Sequence, residues 1–200
     1  MISKGLLKKA AKNARFNIGQ LAPYAREGIP IIGVEPSCIA CFRDEYPDLV
    51  HGDDARRVAG QCFFFEEFVT RPERKERLQA LLSGPDGEQK ILAHTHCYQK
   101  AMGTSDRVLE MLRLLPGANV EPIDCGCCGM AGSFGYEKEH YELSMAIGEQ
   151  TLFPTIRAAS SSTMIAAAGT SCREQIKDGT RRRACHPIEI IARAINSSKK

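Results

Sequence analysis

Four short apolar runs, Ile29 to Val34, Lys90 to Ala93, Val120 to Ile123 and Met164 to Ala168, alternate with stretches of helical periodicity, and cysteine follows every one of them. Short apolar runs bounded by turn residues read as strands buried on both faces. Strands alternating with helices predict an α/β chain, a parallel sheet with flanking helices. Cys38 follows the first run, Cys97 the second, Cys125, Cys127 and Cys128 the third, and Cys172 the fourth. The expected sheet thus carries its cysteines at the carboxyl ends of its strands, the edge where open parallel sheets bind ligands.

The helical stretches complete this frame. Lys4, Lys8, Lys9, Lys12 and Arg15 precede the first acidic residue, Glu27. An acid-free basic start suits a transit peptide, but Leu6, Leu7, Ala10, Ala11, Ile18 and Leu21 recur at helical spacing and predict a helix of the domain instead. Residues 55–82 predict two helices broken near Arg71-Pro72. Residues 106–115 predict one helix, stopped at Pro116-Gly117, and residues 140–159 another, with Tyr141, Met145, Leu152 and Ile156 on one face. A last helix starts at Pro187, a residue suited to a first turn. Pro85, Asp86 and Gly87 mark a turn, Ser160 to Ser162 a surface loop, and Arg181 to Arg183 a solvated basic turn. No internal repeat is visible by inspection.

Two hundred residues, 43% hydrophobic and 26% charged, are enough for one large domain or two small ones with a core that needs no staples. A net charge of +3 is too small to argue for a nucleic-acid partner. No run approaches the roughly 18 apolar residues of a membrane span, and no secretory signal follows Met1. The expected location is cytoplasmic, with peripheral attachment at the inner face of the membrane as the alternative. Nine cysteines cannot all pair internally, and a reducing compartment disfavours disulfides. Core packing, catalysis and metal binding remain. Cys62, before Phe63 to Phe65, suits a core role.

The densest chemistry lies in Cys125-Gly126-Cys127-Cys128-Gly129-Met130-Ala131-Gly132-Ser133-Phe134-Gly135. Adjacent cysteines do not easily bridge each other, yet both thiolates can reach one polynuclear centre. Gly126, Gly129 and Gly132 would let backbone amides approach that centre. Cys97 lies in His94-Thr95-His96-Cys97, a His/Cys mixture that also suits zinc, with each histidine read as a satisfied structural residue. Cys172, in Gly169-Thr170-Ser171-Cys172, precedes a short helix whose amino terminus would favour thiolate. Cys185 reads as structural. Cys38-Ile39-Ala40-Cys41 is a CxxC, open between redox, zinc and cluster roles. No dinucleotide fingerprint, phosphate loop or nucleophile elbow is present, so flavin or nicotinamide would have to belong to a partner.

Cys127-Cys128-Gly129, with the preceding His94-Thr95-His96-Cys97 and the following Gly169-Thr170-Ser171-Cys172, resembles the cysteine-rich CCG domains found in heterodisulfide reductase and in the iron–sulfur component of glycolate oxidase. Gly33 to Cys38, Phe42 to Pro47, Gly126 to Glu137 and His186 to Glu189 resemble more narrowly the carboxyl-terminal iron–sulfur region of FAD-linked oxidases such as D-lactate and D-2-hydroxyglutarate dehydrogenases. The resemblance implies a [4Fe-4S]-type cluster on Cys97, Cys127, Cys128 and Cys172, with Cys38 as a further metal-site residue. It implies electron transfer from an FAD domain or subunit to a downstream acceptor, and no catalysis by this chain alone. It further implies a remnant of a first CCG repeat over residues 1–85 and a complete second repeat over 86–200, in a chain that is the tail of a longer polypeptide. The last thiolate position of the family falls on Gln175. Four thiolates also suffice for zinc, so a structural zinc docking module is the rival expectation, and a thiol–disulfide enzyme working through Cys38 and Cys41 a second.

Overall fold

A computed structural model describes residues 1–84 and 87–196; Pro85 and Asp86, where a turn is expected, lie outside the described residues. The fold is α/β with parallel sheets and flanking helices, as the alternation of apolar runs predicts. The chain divides into two compact units, Met1–Phe65 and Glu66–Lys200.

The first unit contains α1 (Leu7–Arg26), β1 (Ile31–Gly33), α2 (Pro36–Arg43), α3 (Glu45–Leu49), α4 (Asp53–Gln61) and β2 (Cys62–Phe64). The amino-terminal helix forms, but its buried stripe is Ala10, Ala14, Ile18, Ala22 and Ala25. Leu6 and Leu7 are exposed instead. Apart from Ile18 the side chains of this stripe are small and recur every three or four residues, and α4 packs against α1. β1 and β2 pair in parallel, Ile31 opposite Cys62 and Gly33 opposite Phe64. Two helices over 55–82 therefore need correction: a strand separates α4 from α5 (Phe65–Val69), and α6 (Pro72–Gln79) then begins at the expected Pro72. A three-residue strand is too short to show a period of two, and its three apolar residues continue a helical pattern equally well.

In the second unit, α5 and α6 are followed by β3 (Gln89–His94), α7 (Cys97–Ala101), α8 (Ser105–Leu112), β4 (Ala118–Pro122), α9 (Tyr141–Glu149), α10 (Leu152–Ala158), β5 (Met164–Ala167), α11 (Thr170–Thr180), β6 (Ala184–Cys185) and α12 (Pro187–Asn196). All four strands are parallel, in the order β4-β3-β5-β6. Leu92, Ile165, Phe153, Ile156 and Ile176 form the apolar cluster under the carboxyl edge, and Cys128 and Cys172 belong to it. The single helix expected over 140–159 is two. Pro154, in the first turn of α10, has no amide hydrogen and its ring would clash with the carbonyl four residues back, so the helix breaks at Gln150-Thr151.

The basic turn is not merely solvated. The Arg182 guanidinium donates to the carbonyl oxygens of Ala159 at 3.2 Å, Ser160 at 3.1 Å and Thr163 at 2.7 Å. It thereby closes the carboxyl end of α10 and the serine loop onto β6. The structure also shows a repetition that inspection of the sequence misses. Cys38 and Cys172 each lie five residues past a strand's end and third in the following helix, and each of those strands pairs in parallel with the next strand of the chain.

Candidate metal centre

Three neighbouring strands deliver the thiols of the second unit. β3 leads through His94-Thr95-His96 to Cys97, the first residue of α7. β4 leads to the loop holding Cys125, Cys127 and Cys128, and β5 to Cys172 in the first turn of α11. Since β3 lies between β4 and β5, the three segments meet at one edge. Cys97 interacts with Cys127, Cys127 with Cys128, and Cys128 with Cys172, so the four sulfurs form one run along this edge. Cys97 is exposed, Cys127 half-buried, and Cys128 and Cys172 buried.

The four thiols shift one another in opposite directions. Hydrogen bonds from Cys128 and then Cys97 pull Cys127 well below the usual thiol range against the opposing effect of burial, helped by the amides of Gly129 and Ala131. The hydrogen bond from Cys128 likewise holds Cys172 low; burial opposes it, and His94 adds to it. Cys97 is pushed up by its bond to Cys127 and by burial. Cys128 is pushed up by its bonds to Cys127 and Cys172 and by burial. Two sulfurs at this edge therefore favour the thiolate, the form that ligates metal.

His94 is 1% exposed. Its Nδ1 lies 3.2 Å from Cys125 Sγ, while Nε2 has no hydrogen-bond partner. One imidazole nitrogen and the sulfurs of Cys128 and Cys172 lie within 4.8 Å of one another. Burial disfavours the imidazolium, but the Cys125 and Cys172 sulfurs outweigh it and push His94 up to about 9. A buried nitrogen without a partner is costly unless something else fills its lone pair or takes its proton. A metal ion beside the Cys128 and Cys172 sulfurs would satisfy this orphaned atom, so the residues fit a metal. His96, its near neighbour, differs: its Nδ1 caps α7 by accepting from the Tyr98 amide at 3.1 Å. Sequence reasoning treats the two histidines alike; only the Gln99 three residues after His96, completing a capping box, marks His96 as structural.

The glycines differ too. Gly129 has φ +102° and a Cβ there would overlap the Ser144 carbonyl, so the backbone needs glycine at this position. Its amide donates to Cys127 Sγ at 3.3 Å. Gly132 has φ +71° with open space around it, and Gly126 has open space and an ordinary φ. The carbonyls of Cys125 and Gly126 accept from Lys100 of α7, the latter at 2.8 Å, which ties the loop to the helix bearing Cys97. Gln175 is buried, its Nε2 donating to the Ser144 carbonyl at 3.0 Å and Oγ at 2.9 Å. It bridges α11 to α9. Cys185 is buried on β6. Cys38, in the first unit, is exposed in the first turn of α2; one turn on, Cys41 is half-buried, pushed up to about 12 by burial and by Glu45. A cavity of about 570 Å³ lies between the loop after Cys128 and α11, with Met130, Gln175, Tyr136 and Tyr141 in its wall.

Over nearly its whole length the chain is similar to portions of bacterial dehydrogenases. It is 31% identical over 196 residues to one subunit of the anaerobic glycerol-3-phosphate dehydrogenase of Escherichia coli K12, covering 98% of this chain and 48% of that protein. It is 29% identical over 195 residues to D-2-hydroxyglutarate dehydrogenase of E. coli K12 and 27% over 193 to that of Pantoea ananatis, covering 96% of this chain and 18% of each protein. The chain thus spans about half the length of the first of these relatives and under a fifth of the others. No protein-family profile matches it. Among the described residues, no helix is long and apolar enough to cross a membrane.

Proposed function

We propose that this chain is an iron–sulfur electron-transfer module of the CCG type, working with an FAD-linked dehydrogenase of a D-2-hydroxy acid such as D-lactate, as part of the same polypeptide or as a subunit. The observation that carries the proposal is the gathering of Cys97, Cys127, Cys128 and Cys172 at one sheet edge, with buried His94 within 4.8 Å of the Cys128 and Cys172 sulfurs. In this reading Cys97, Cys127, Cys128 and Cys172 hold a [4Fe-4S]-type cluster, which supplies one-electron transfer when bound. His94 is an additional ligand or a hydrogen-bond donor. The amide of Gly129 donates to Cys127 Sγ and so stabilises negative charge on it. Leu92, Ile123 and Met130, all buried, keep water from the inner side. The flavin and the substrate chemistry belong to a partner domain or subunit, and electrons leave to a downstream acceptor.

Under the same proposal, residues 1–85 are the remnant of a first CCG repeat and 86–200 a complete second one, with Cys38 the metal-site residue left from the first. The shared placement of Cys38 and Cys172 supports this division. A second reading has a specific observation in its favour: the compact trio His94, Cys128 and Cys172 suits a single zinc ion completed by one more thiolate. Anaerobic reconstitution with ferrous iron and sulfide, followed by metal and sulfide analysis, separates the two. Several irons with matching sulfide per chain, and broad absorption in the blue, are expected. One zinc without sulfide overturns the iron–sulfur proposal.

A further inference from the structure

α7 has five residues, too few to hold a thiol rigidly by its own hydrogen bonds, and Cys97 at its start is exposed. Its support comes from beneath. Gln99 is wholly buried, and both ends of its carboxamide are engaged. Its Oε1 accepts from the His96 amide at 2.8 Å, and its Nε2 donates to the Glu66 carboxyl. Its carbonyl accepts from the Thr104 amide at 2.8 Å and from Thr104 Oγ1 at 3.2 Å. Glu66, 4% exposed on α5, is braced in turn by Thr70, whose Oγ1 donates to the Glu66 carbonyl at 2.7 Å. On the upper side, His96 Nδ1 receives the Tyr98 amide and lies 3.6 Å from Cys97 Sγ.

We propose that Glu66 and Gln99 are positioning residues: a buried carboxyl–carboxamide strut that fixes the Cys97 thiol against Cys127. An apolar pair of the same volume would fill this space without the desolvation cost of burying a carboxyl and a carboxamide. What an apolar pair lacks is direction. Only the two ends of the Gln99 carboxamide, each with one partner, fix the rotation of the turn from His96 to Gln99 about the strand that precedes it. Removing the Glu66 acceptor leaves Gln99 Nε2 buried without a partner, so the carboxamide turns away and the His96 amide loses its bond as well. The role of the thiol as a ligand rests on the metal-centre reading above; the strut does not.

The test reads the two separately. In the reduced, metal-free full chain, the alkylation rate of each cysteine by iodoacetamide is followed by mass spectrometry. Glu66→Ala is expected to speed alkylation of Cys97 by about fivefold, the size of one lost hydrogen bond, with Cys185 unchanged. Glu66→Gln, whose carboxamide oxygen accepts the same bond, is expected to restore the parent rate. An unchanged Cys97 rate in folded Glu66→Ala, or Glu66→Gln behaving like Glu66→Ala, overturns the strut. If Glu66→Ala unfolds, with all cysteines accelerating together, Gln99→Met keeps the volume without the bonds and decides by the same criterion. In the iron-reconstituted chain, Glu66→Ala should retain less than about half the iron of Glu66→Gln, the change expected when a supporting partner of a ligand is lost. If the parent chain binds no iron, the metal reading fails while the alkylation result still decides the strut.

Discussion

Glu66→Gln should make the second unit more stable at neutral pH and leave it unchanged in acid. Burial pushes the Glu66 carboxyl from 4.5 up to about 7, against the opposing hydrogen bonds from its own amide and from Gln99. In the unfolded chain the group ionises near its ordinary value. Below pH 4.5 both states hold the proton and Glu66 contributes nothing. Between 4.5 and about 7 the unfolded chain releases the proton while the folded chain keeps it, so stability falls as pH rises. Above about 7 both are ionised and the full penalty remains. The interval corresponds to about 3 kcal/mol. A glutamine at this position stays neutral throughout and accepts the same hydrogen bond from Gln99. Urea unfolding of the metal-free chain and its variant, followed by circular dichroism from pH 4 to pH 8.5, should show a difference near zero in acid that grows to about 3 kcal/mol and then levels off. A difference that is constant with pH, or that shrinks as pH rises, refutes the reasoning. Taking variant minus parent removes every other titrating group, because all of them are common to both.

Three further outcomes follow from the geometry. Cys128→Ser or Cys172→Ser should abolish metal retention after reconstitution, while Cys185→Ser should leave it at the parent level; metal analysis after desalting decides. Gly129→Ala should destabilise the second unit by about 3 kcal/mol, from backbone strain at φ +102° plus displacement of Ser144, as read by thermal or urea unfolding. Phe153→Ala should cost about 3–5 kcal/mol in the same assay. That ring is completely buried and fills the space left by Gly148 and Gly179.

β3, β4 and β5 were legible in the sequence because each is an apolar run long enough to stand out between turns, and the rule that parallel strands end at a ligand edge led to their cysteines. β2 and β6 were not, since two or three residues show no period and owe their strand conformation to pairing with a neighbour. The break before Pro154 was written in the sequence; the three-to-four spacing of Tyr141, Met145, Leu152 and Ile156 hid it. At the site, the spacing of Cys127 and Cys128 told more than their identity, because adjacent cysteines rarely serve each other. What separates His94 from His96 is a hydrogen-bond inventory that exists only once the chain is folded. Likewise, nothing in the letters marks Gln175 as a bridge to Ser144, because its partner lies 31 positions away.

The hold of Arg182 on the carbonyls of Ala159, Ser160 and Thr163 bears on how the protein would meet a protease. Ser160-Ser161-Ser162 is exposed, small and polar, the composition at which a cutting enzyme normally enters. Cleavage requires several residues to be drawn out into an extended strand, and here that means stripping one guanidinium from three oxygens on both sides of the loop. The triple serine is therefore a decoy for composition-based mapping of nicking sites, because the arginine just before β6, at the same amino-terminal end of the sheet, holds it closed.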